Sequence, residues 1–307
     1  MNKITINVPS SVANVSCGFD VLGFCLENPC DEMTVEIKKT QGVDIQIINE
    51  KSIPTNPKYN VCGPVAMAMM TQLNFKYGFR IKIIKNIKPG SGIGSSAASA
   101  AGTAFAINCL TGSTFSKLEL INFAMLGEEI ASGEKHADNL SPVIFGGFTL
   151  VRSLKPLDII TLPSLKELYV VITHPLIELK TKDARLLINK KINLEKAVVQ
   201  WANLGGFVAS LYTKNYELLS KTIQDVIIEP QRLKLIPNFK DIVGTASEYS
   251  LGTGISGAGP SIFSICKGKK NAELTLNSIR NITDKKSIEY NLILSKINTG
   301  GIKIMNK

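Results

Sequence analysis

The stretch from Phe79 to Leu110 constrains this chain more than any other, because it reads as a strand, a glycine-rich loop and a helix in immediate succession. Phe79, Ile81, Ile83 and Ile87 are interleaved with Arg80, Lys82 and Lys85, close to the period-2 pattern of a half-buried strand. From Ser95 to Leu110 the residues are mostly Ala and other small types, with a Ser pair where an N-cap belongs and no interior Pro. Between them lies Pro89-Gly90-Ser91-Gly92-Ile93-Gly94-Ser95-Ser96-Ala97-Ala98. Glycines let backbone N–H groups converge without Cβ obstruction, and a helix start adds unpaired donors and the positive end of its dipole. The segment therefore reads as a phosphate holder, with a tight turn into a closely packed helix as the structural alternative. It lacks the Gly-Lys-Ser/Thr end of a P-loop, and its glycines run G-x-G-x-G rather than G-x-G-x-x-G. What takes the place of the P-loop lysine is not evident locally, but Ser95 and Ser96 offer hydroxyls to a phosphate or to magnesium, which prefers oxygen ligands.

A chain of 307 residues can bury a large core, and its length favours two domains. With 44% hydrophobic and 20% charged residues, nothing calls for disorder. The start, Met1 to Ile6, lacks the apolar core of a signal peptide, and no stretch is apolar for long enough to span a bilayer, so a cytoplasmic location is expected. The six cysteines show no C-x-x-C pair and read as buried free thiols; with His136 and His174 the only histidines, a zinc site is disfavoured. The net charge of +10 is uneven: residues 1–150 carry 12 Lys and Arg and 12 Asp and Glu, out of 35 and 25 in the whole chain. The basic excess thus lies wholly in the second half. Its lysines are dispersed and lack interleaved aromatics, which speaks for a solvated face rather than a nucleic-acid surface.

Taken in order, Ile4 to Val8 alternates as a strand, and Pro9 to Asp20 reads as a turn-rich segment of small residues with one carboxylate, Asp20, among apolar neighbours. Such a carboxylate needs a cation or an ammonium group unless it caps a turn. Strands follow at Glu32 to Ile37 and Val43 to Ile48, then a helix from Asn60 to Phe75. Ser116-Lys117-Leu118-Glu119 has capping-box spacing and opens a helix to about Ser132. Glu128 and Glu129 sit near its end; adjacent carboxylates point apart, so one of them, Glu128, is the candidate magnesium ligand and Glu129 the solvent-facing one. A dense polar run follows, Ser132 to Pro142. The segment Ser153 to Pro156 is the expected boundary between domains 1–153 and 154–307. Beyond it lie strands at 159–162 and 168–173, helices at Thr181, 194–212, 216–225 and around 239–249, a second glycine loop Gly254 to Ser261, a strand 262–266, a helix over 272–280, and one or two final strands. Alternation of strands and helices in both halves implies an α+β fold in each.

The run Pro89-x-x-x-Gly-Ile-Gly-Ser-Ser-Ala-Ala matches the phosphate loop of the galactokinase, homoserine kinase, mevalonate kinase and phosphomevalonate kinase (GHMP) superfamily. Within it, Pro9-Ser10-Ser11-x-Ala-Asn14 through Gly18-Phe19-Asp20, His136-Ala137-Asp138-Asn139, Thr181 to Arg185, Glu229-Pro230-x-Arg232 and Ser256-Gly257-Ala258-Gly259-Pro260 resemble the homoserine kinase family, over most of the chain and in order. The resemblance implies an N-terminal domain like domain 2 of ribosomal protein S5 and a C-terminal ferredoxin-like domain, with ATP and substrate between them. It implies that the loop from Pro89 to Ala98 (Pro89, Gly90, Ser91, Gly92, Ile93, Gly94, Ser95, Ser96, Ala97, Ala98) binds ATP, that Ser96 and Glu128 hold Mg²⁺, and that Asn60 lies near the adenine. Asn14, Asp20, His136, Arg185 and Arg232 would bind homoserine, with Thr181 and Gly259 close by. The implied activity is phosphorylation of the homoserine hydroxyl in threonine biosynthesis, by a chain that is a candidate homodimer.

The chemistry suits that substrate. Homoserine is a zwitterion, so its pocket needs an anion for the ammonium, which Asp20 supplies, and cations for the carboxylate, which Arg185 and Arg232 supply in bidentate form. Sister kinases of the superfamily with an aspartate base carry it at the position of Asn139, and an amide cannot take a proton. Phosphoryl transfer through a loose transition state leaves the protein mainly to position reactants and stabilise charge. Direct attack by the hydroxyl, oriented by Asn139, is therefore the expected mechanism, with Asp138 the rival base. A mevalonate kinase or a catalytically silent relative is the alternative; Asp20 argues against the first, because mevalonate has no ammonium.

Overall fold

The computed structural model describes residues 2–177, 179, 181–189 and 191–306, with the side chains of residues 181 and 182 left aside. The first half of the chain runs β1 (Lys3–Ala13), β2 (Leu22–Lys38), β3 (Val43–Ile48), α1 (Cys62–Gln72), β4 (Gly78–Ile84), α2 (Ser95–Leu110), α3 (Lys117–Ser132), α4 (Leu140–Phe145), β5 (Phe148–Leu154) and β6 (Leu157–Leu162). The second half runs β7 (Leu168–Pro175), α5 (Thr181–Leu186), α6 (Leu194–Thr213), α7 (Tyr216–Thr222), α8 (Glu229–Arg232), α9 (Phe239–Ala246), β8 (Gly252–Ile255), β9 (Ile262–Lys267), α10 (Lys269–Thr283), β10 (Tyr290–Lys296) and β11 (Lys303–Asn306).

A seven-stranded sheet is ordered β11-β1-β2-β4-β3, with the β5–β6 hairpin attached through β2. Among the described residues its only parallel pair is β3 with β4. The four-stranded sheet, β10-β7-β9-β8, is antiparallel throughout; with helices after β7 and after β9 this is the ferredoxin-like arrangement. Helix α2 is buried along most of its length because its Ala and Ser side chains let it lie close to β1 and β2 on one side and to α1 and α3 on the other. The two sheets share one core: Phe24 of β2 meets Phe148 and Phe263, and Phe148 meets Phe207 of α6. A second cluster lies between the four-stranded sheet and α9 and α10.

The expected β3, α2 and α3 are found at their expected bounds, and Ser116 and Glu119 form the capping box of α3. Several expectations need correction. The segment Pro9–Ala13 is not a turn but the rest of β1, which passes Pro9 through a register shift. The strand placed at Glu32–Ile37 is the second half of β2, whose first half pairs with β1 and β5. Ser153 and Leu154 end β5 and Lys155-Pro156 is the turn of the β5–β6 hairpin, so the large sheet runs past residue 153 and the chain leaves it only after Leu162. That sheet also takes back β11, which pairs with β1.

Candidate functional site

The two glycine loops pack back to back where the sheets meet. A Cβ on Gly92 (φ +81°) would lie 2.5 Å from the Gly259 oxygen and 2.8 Å from the Ser256 oxygen. Ser256 Oγ donates to the Gly92 carbonyl at 2.7 Å, and Gly257 N–H donates to the Ala13 carbonyl at 3.1 Å. Beneath this junction opens a cavity of about 490 Å³, walled by both halves of the chain. Asn14, Asp20, Asn60, Pro89, Gly90, Gly92, Gly94, Ser95, Ser96, Glu128, His136, Asp138, Asn139, Arg185, Arg232 and Gly259 all line it. Ser91 turns its hydroxyl onto the Lys88 carbonyl, and Ile93, Ala97 and Ala98 face the core, so these four side chains do not. The Thr181 side chain lies outside the described residues.

The N-terminus of α2 opens toward the cavity. Its N-cap is Gly94 in the left-handed conformation (φ 71°), with no side-chain cap, rather than the expected serine pair. Ser95 instead donates to the Ile87 carbonyl at 2.8 Å, which ties the loop to the end of β4. A Cβ at residue 94 would meet Ser11 Oγ at 2.4 Å and Asn139 Oδ1 at 2.9 Å, so glycine is required for space as well as for conformation. The result is a helix start whose first N–H groups remain available to an anion.

Ser96 faces Glu128 across the α2–α3 contact, within hydrogen-bonding reach. Glu128 is buried, its Oε1 has no partner within the protein, and burial pushes its carboxyl up to about 7 despite the Ser96 hydroxyl. A buried carboxyl with an unpaired oxygen beside a hydroxyl suits a divalent cation, which restores the charged form. No group of three or more His, Cys, Asp or Glu placed to hold a metal ion occurs among the described residues, so a cation here would take its remaining ligands from phosphate and water. Glu129 points to solvent and pairs with Lys135 at 3.5 Å.

Lys85 escaped the sequence reading. It follows β4, lines the cavity, and forms a buried ion pair with Asp31, while its Nζ also donates to the Ser95 carbonyl and Ser99 Oγ, each at 3.2 Å. Its signal was parity: residues 79, 81, 83, 85 and 87 are all buried, so Lys85 belongs to the inward set and not to the solvent set. Here is a cation beside the phosphate loop, supplied by the preceding strand end. Also unforeseen is the apolar slot at the far end of the cavity, walled by Ile47, Ile53, Pro54, Tyr59, Val61 and Ile130. No local pattern marks it, since its parts come from β3, the β3–α1 connection and α3. Asn60 borders this slot with both amide ends engaged, Oδ1 accepting from Cys62 N–H at 2.9 Å and Nδ2 donating to the Pro54 carbonyl at 2.7 Å.

At the opposite end Asp20 and Arg185 form a bidentate pair, NH1 to Oδ2 at 3.1 Å and NH2 to Oδ1 at 2.9 Å. Arg185 and Arg232 both stack over Phe19, at 5.6 Å and 5.2 Å from its centroid. Arg232 is buried, and burial and then Arg185 lower its pKa from the usual value. Arg185 NH1 also lies 3.3 Å from Glu134 Oε2, so this guanidinium sits between two carboxylates, whereas Arg232 donates to the Gly257 carbonyl at 3.1 Å and is the group left to receive an anion. Arg185 NH2 lies 3.0 Å from His136 Nε2; a guanidinium only donates, so Nε2 accepts and the ring is neutral with its proton on Nδ1. Burial, opposed by Asp20 and aided by Arg185, lowers the His136 pKa in agreement.

Asn14, Val15, Ser16 and Asp20 all adopt positive φ (71°, 45°, 56° and 59°), a strained turn for non-glycine residues. It is held by Asn14, whose Nδ2 donates to the Gly257 carbonyl at 2.7 Å and whose Oδ1 accepts from Asp20 N–H at 2.9 Å. Asn14 thus braces the pocket with both ends of its amide. Asn139 Oδ1 accepts from Ser11 Oγ at 2.8 Å, which leaves its NH₂ as the group to offer. Asp138 is buried beside it, raised to about 7 by desolvation first and by Asp20 second.

The chain is similar to known proteins along nearly its whole length. Models described as GHMP kinases N terminal domain and GHMP kinases C terminal match residues 60–147 and 207–283. Homoserine kinase of Chloroherpeton thalassium is 39% identical over 319 residues, covering 99% of this chain and 100% of that protein. Homoserine kinase of Methanococcus maripaludis (strain S2) is 40% identical over 271 residues, covering 87% and 89%. The crystal structure of homoserine kinase from Cytophaga hutchinsonii superposes with a TM-score of 0.95 at 40% identity, covering 99% and 98%. Mevalonate kinase of L. major, solved with R-mevalonate, shares the fold with a TM-score of 0.71 at 14% identity, covering 96% of each chain. Glycine loop, buried carboxyl and paired arginines therefore sit in a two-domain GHMP fold, and the chain belongs to the homoserine kinase family.

Proposed function

We propose that this chain transfers the γ-phosphoryl group of ATP to the side-chain hydroxyl of L-homoserine, with Mg²⁺ as cofactor. The observation that carries the reading is the joining, in one cavity, of an uncapped helix start with a glycine loop to a pocket in which Asp20 pairs with Arg185 beside a second guanidinium, Arg232. The backbone N–H groups of the loop and α2 receive the phosphates, the apolar slot receives the base, and Ser96 and Glu128 hold the cation, whose charge offsets that building on the phosphates. Asp20 and Arg185 exchange partners when the zwitterion binds: the ammonium takes the carboxylate, and the substrate carboxylate takes Arg185 together with Arg232. The Asn139 NH₂ orients the hydroxyl for direct attack, and its proton leaves to phosphate or solvent.

A second mechanistic reading, with Asp138 as base, has an observation in its favour: a buried carboxyl with a pKa near 7 can take a proton at neutral pH. Asp138→Asn separates the two. A collapse of kcat with homoserine KM and fold unchanged selects the base; retention of turnover selects direct attack. The reaction itself is tested by coupled ADP release with homoserine, mevalonate and other small alcohols, with and without Mg²⁺. Homoserine- and Mg²⁺-dependent release is expected, and release independent of homoserine overturns the assignment.

A homodimer through α6 completes the proposal. From Ala197 to Thr213 the helix has no charged residue, yet Val198, Trp201 and Tyr212 are 52%, 62% and 60% exposed. An antiparallel two-fold pairing centred on Gly205 sets Trp201 of one copy against Ala209 of the other, and Val198 against Tyr212, large on small. In sedimentation the chain is expected as a dimer and Trp201→Glu as a monomer; a monomeric unsubstituted chain at micromolar concentration rules the pairing out.

A further inference from the structure

Glu229 opens α8, three residues before Arg232, and has no part in the reaction described above. Its side chain is turned inward, where Oε2 accepts from the Ile255 N–H at 3.0 Å at the end of β8. Two residues further on, the Gly257 carbonyl accepts from Asn14 Nδ2 at 2.7 Å and from Arg232 NH1 at 3.1 Å. One backbone oxygen therefore fixes both the brace of the Asp20 turn and a guanidinium of the amino-acid pocket. Its own place depends on the segment that Glu229 pins.

We propose that Glu229 is a positioning residue for the amino-acid pocket, holding Arg232 and Asn14 in register through its grip on Ile255 and the Gly257 carbonyl. The inference rests on the reading of that pocket as the homoserine site. Its surroundings favour a neutral acid. Asp225, in the turn before α8, already spends its carboxylate on the N–H groups of Ile227, Ile228 and Glu229, at 2.8, 2.8 and 3.0 Å. Burial, and to a lesser degree Asp225, push the Glu229 carboxyl up to about 7, against the Ile255 hydrogen bond.

Beside it lies a cavity of about 10 Å³ lined by Asn14, Ser16, Asp225, Ile228, Glu229, Arg232, Ile255 and Gly257, in which Ser16 Oγ and Arg232 Nε have no partner within the protein. A neutral acid fits next to these groups. Its ionised form faces Asp225 as a second like charge and draws the Arg232 guanidinium toward Nε contact, away from the Gly257 carbonyl and from a substrate carboxylate. The charged and titratable groups that face Glu229 are Asp225 from the preceding turn and Arg232 from its own helix.

The sign follows. Above the Glu229 pKa the pocket loses its grip, so homoserine KM in the unsubstituted chain rises as pH goes from 6 to 8.5, while ATP KM stays level. Glu229→Gln keeps an acceptor for Ile255 and cannot ionise; it is expected to hold the low-pH KM across that range. Glu229→Ala removes the pin and is expected to raise homoserine KM about tenfold, as for one lost buried hydrogen bond, with kcat and ATP KM little changed. A merely structural role lowers stability in both variants without touching the pH profile of KM. Identical KM profiles in Glu229→Gln and the unsubstituted chain overturn the proposal, whether or not the alanine variant folds. Absence of homoserine-dependent turnover in the unsubstituted chain overturns the pocket assignment and this inference with it, and so is told apart from failure of the Glu229 role alone.

Discussion

The two ends of the cavity, which we assign to phosphate and to the amino acid, are built from different materials. At the phosphate end the working groups are main-chain N–H groups of one contiguous segment, held by glycines, a buried small-residue helix and backbone contact with the second glycine loop. At the amino-acid end they are side-chain charges from separate parts of the chain: the Asp20–Arg185 pair spans 165 residues. A backbone site tolerates changes of side chain and fails when Cβ atoms or positive φ values change. A side-chain site tolerates backbone neighbours and fails when a single charge is lost.

Three substitutions test this contrast, in descending order of effect. Glu128→Gln keeps the shape of the one indispensable side chain at the phosphate end and removes its anion; kcat is expected to fall about 10²–10³-fold, comparable to loss of an electrostatic stabiliser of a transition state, with the Mg²⁺ requirement moved to higher concentration. Steady-state rates across a Mg²⁺ titration read both, and an unaltered Mg²⁺ dependence removes Glu128 from the metal site. Asp20→Asn keeps the volume of the pocket and unbalances its two arginines; homoserine KM is expected to rise roughly 10-fold or more through loss of a charge-assisted bond, with ATP KM unaffected. A parallel rise in ATP KM would show the two ends to be one unit. Gly92→Ala adds a single methyl group where the Gly259 oxygen stands 2.5 Å away. Urea denaturation is expected to show a loss of about 1–3 kcal/mol, and ATP KM rises while homoserine KM does not. Equal sensitivity of both KM values would tie the second glycine loop to both substrates.

The same contrast decides what could be read from the sequence. The phosphate loop and α2 were legible at their full bounds because all their determinants are local: glycines, small residues, a helix without breakers. Only the cap was misread, since a serine at the right place can bond backward to Ile87 instead of forward to the helix. Motif resemblance named the residues of the proposed amino-acid pocket, and the structure brings Asn14, Asp20, His136, Arg185, Arg232 and Gly259 to one cavity. That Asp20 and Arg185 pair with each other, that Asn14 is a brace, and that Glu229 lies under the pocket depend on folding across the two sheets, for which no local pattern exists. Lys85 is an intermediate case. Its inward parity was present in the strand, but charge suggested solvent, and the partner that permits its burial, Asp31, lies in the half of β2 that proline and polar residues disguised.

The return of β11 to the edge of β1 bears on how the molecule is made. Thr5, Ile6 and Asn7 of β1 pair with Asn306, Ile304 and Lys303 of β11, so this edge of the large sheet closes only when segments from opposite ends of the fold meet. Pairings of such long separation in sequence are slow to form. The turn bearing Asn14 and Asp20 springs directly from β1, so the proposed substrate pocket hangs on a strand whose edge is closed by a slow, long-range pairing.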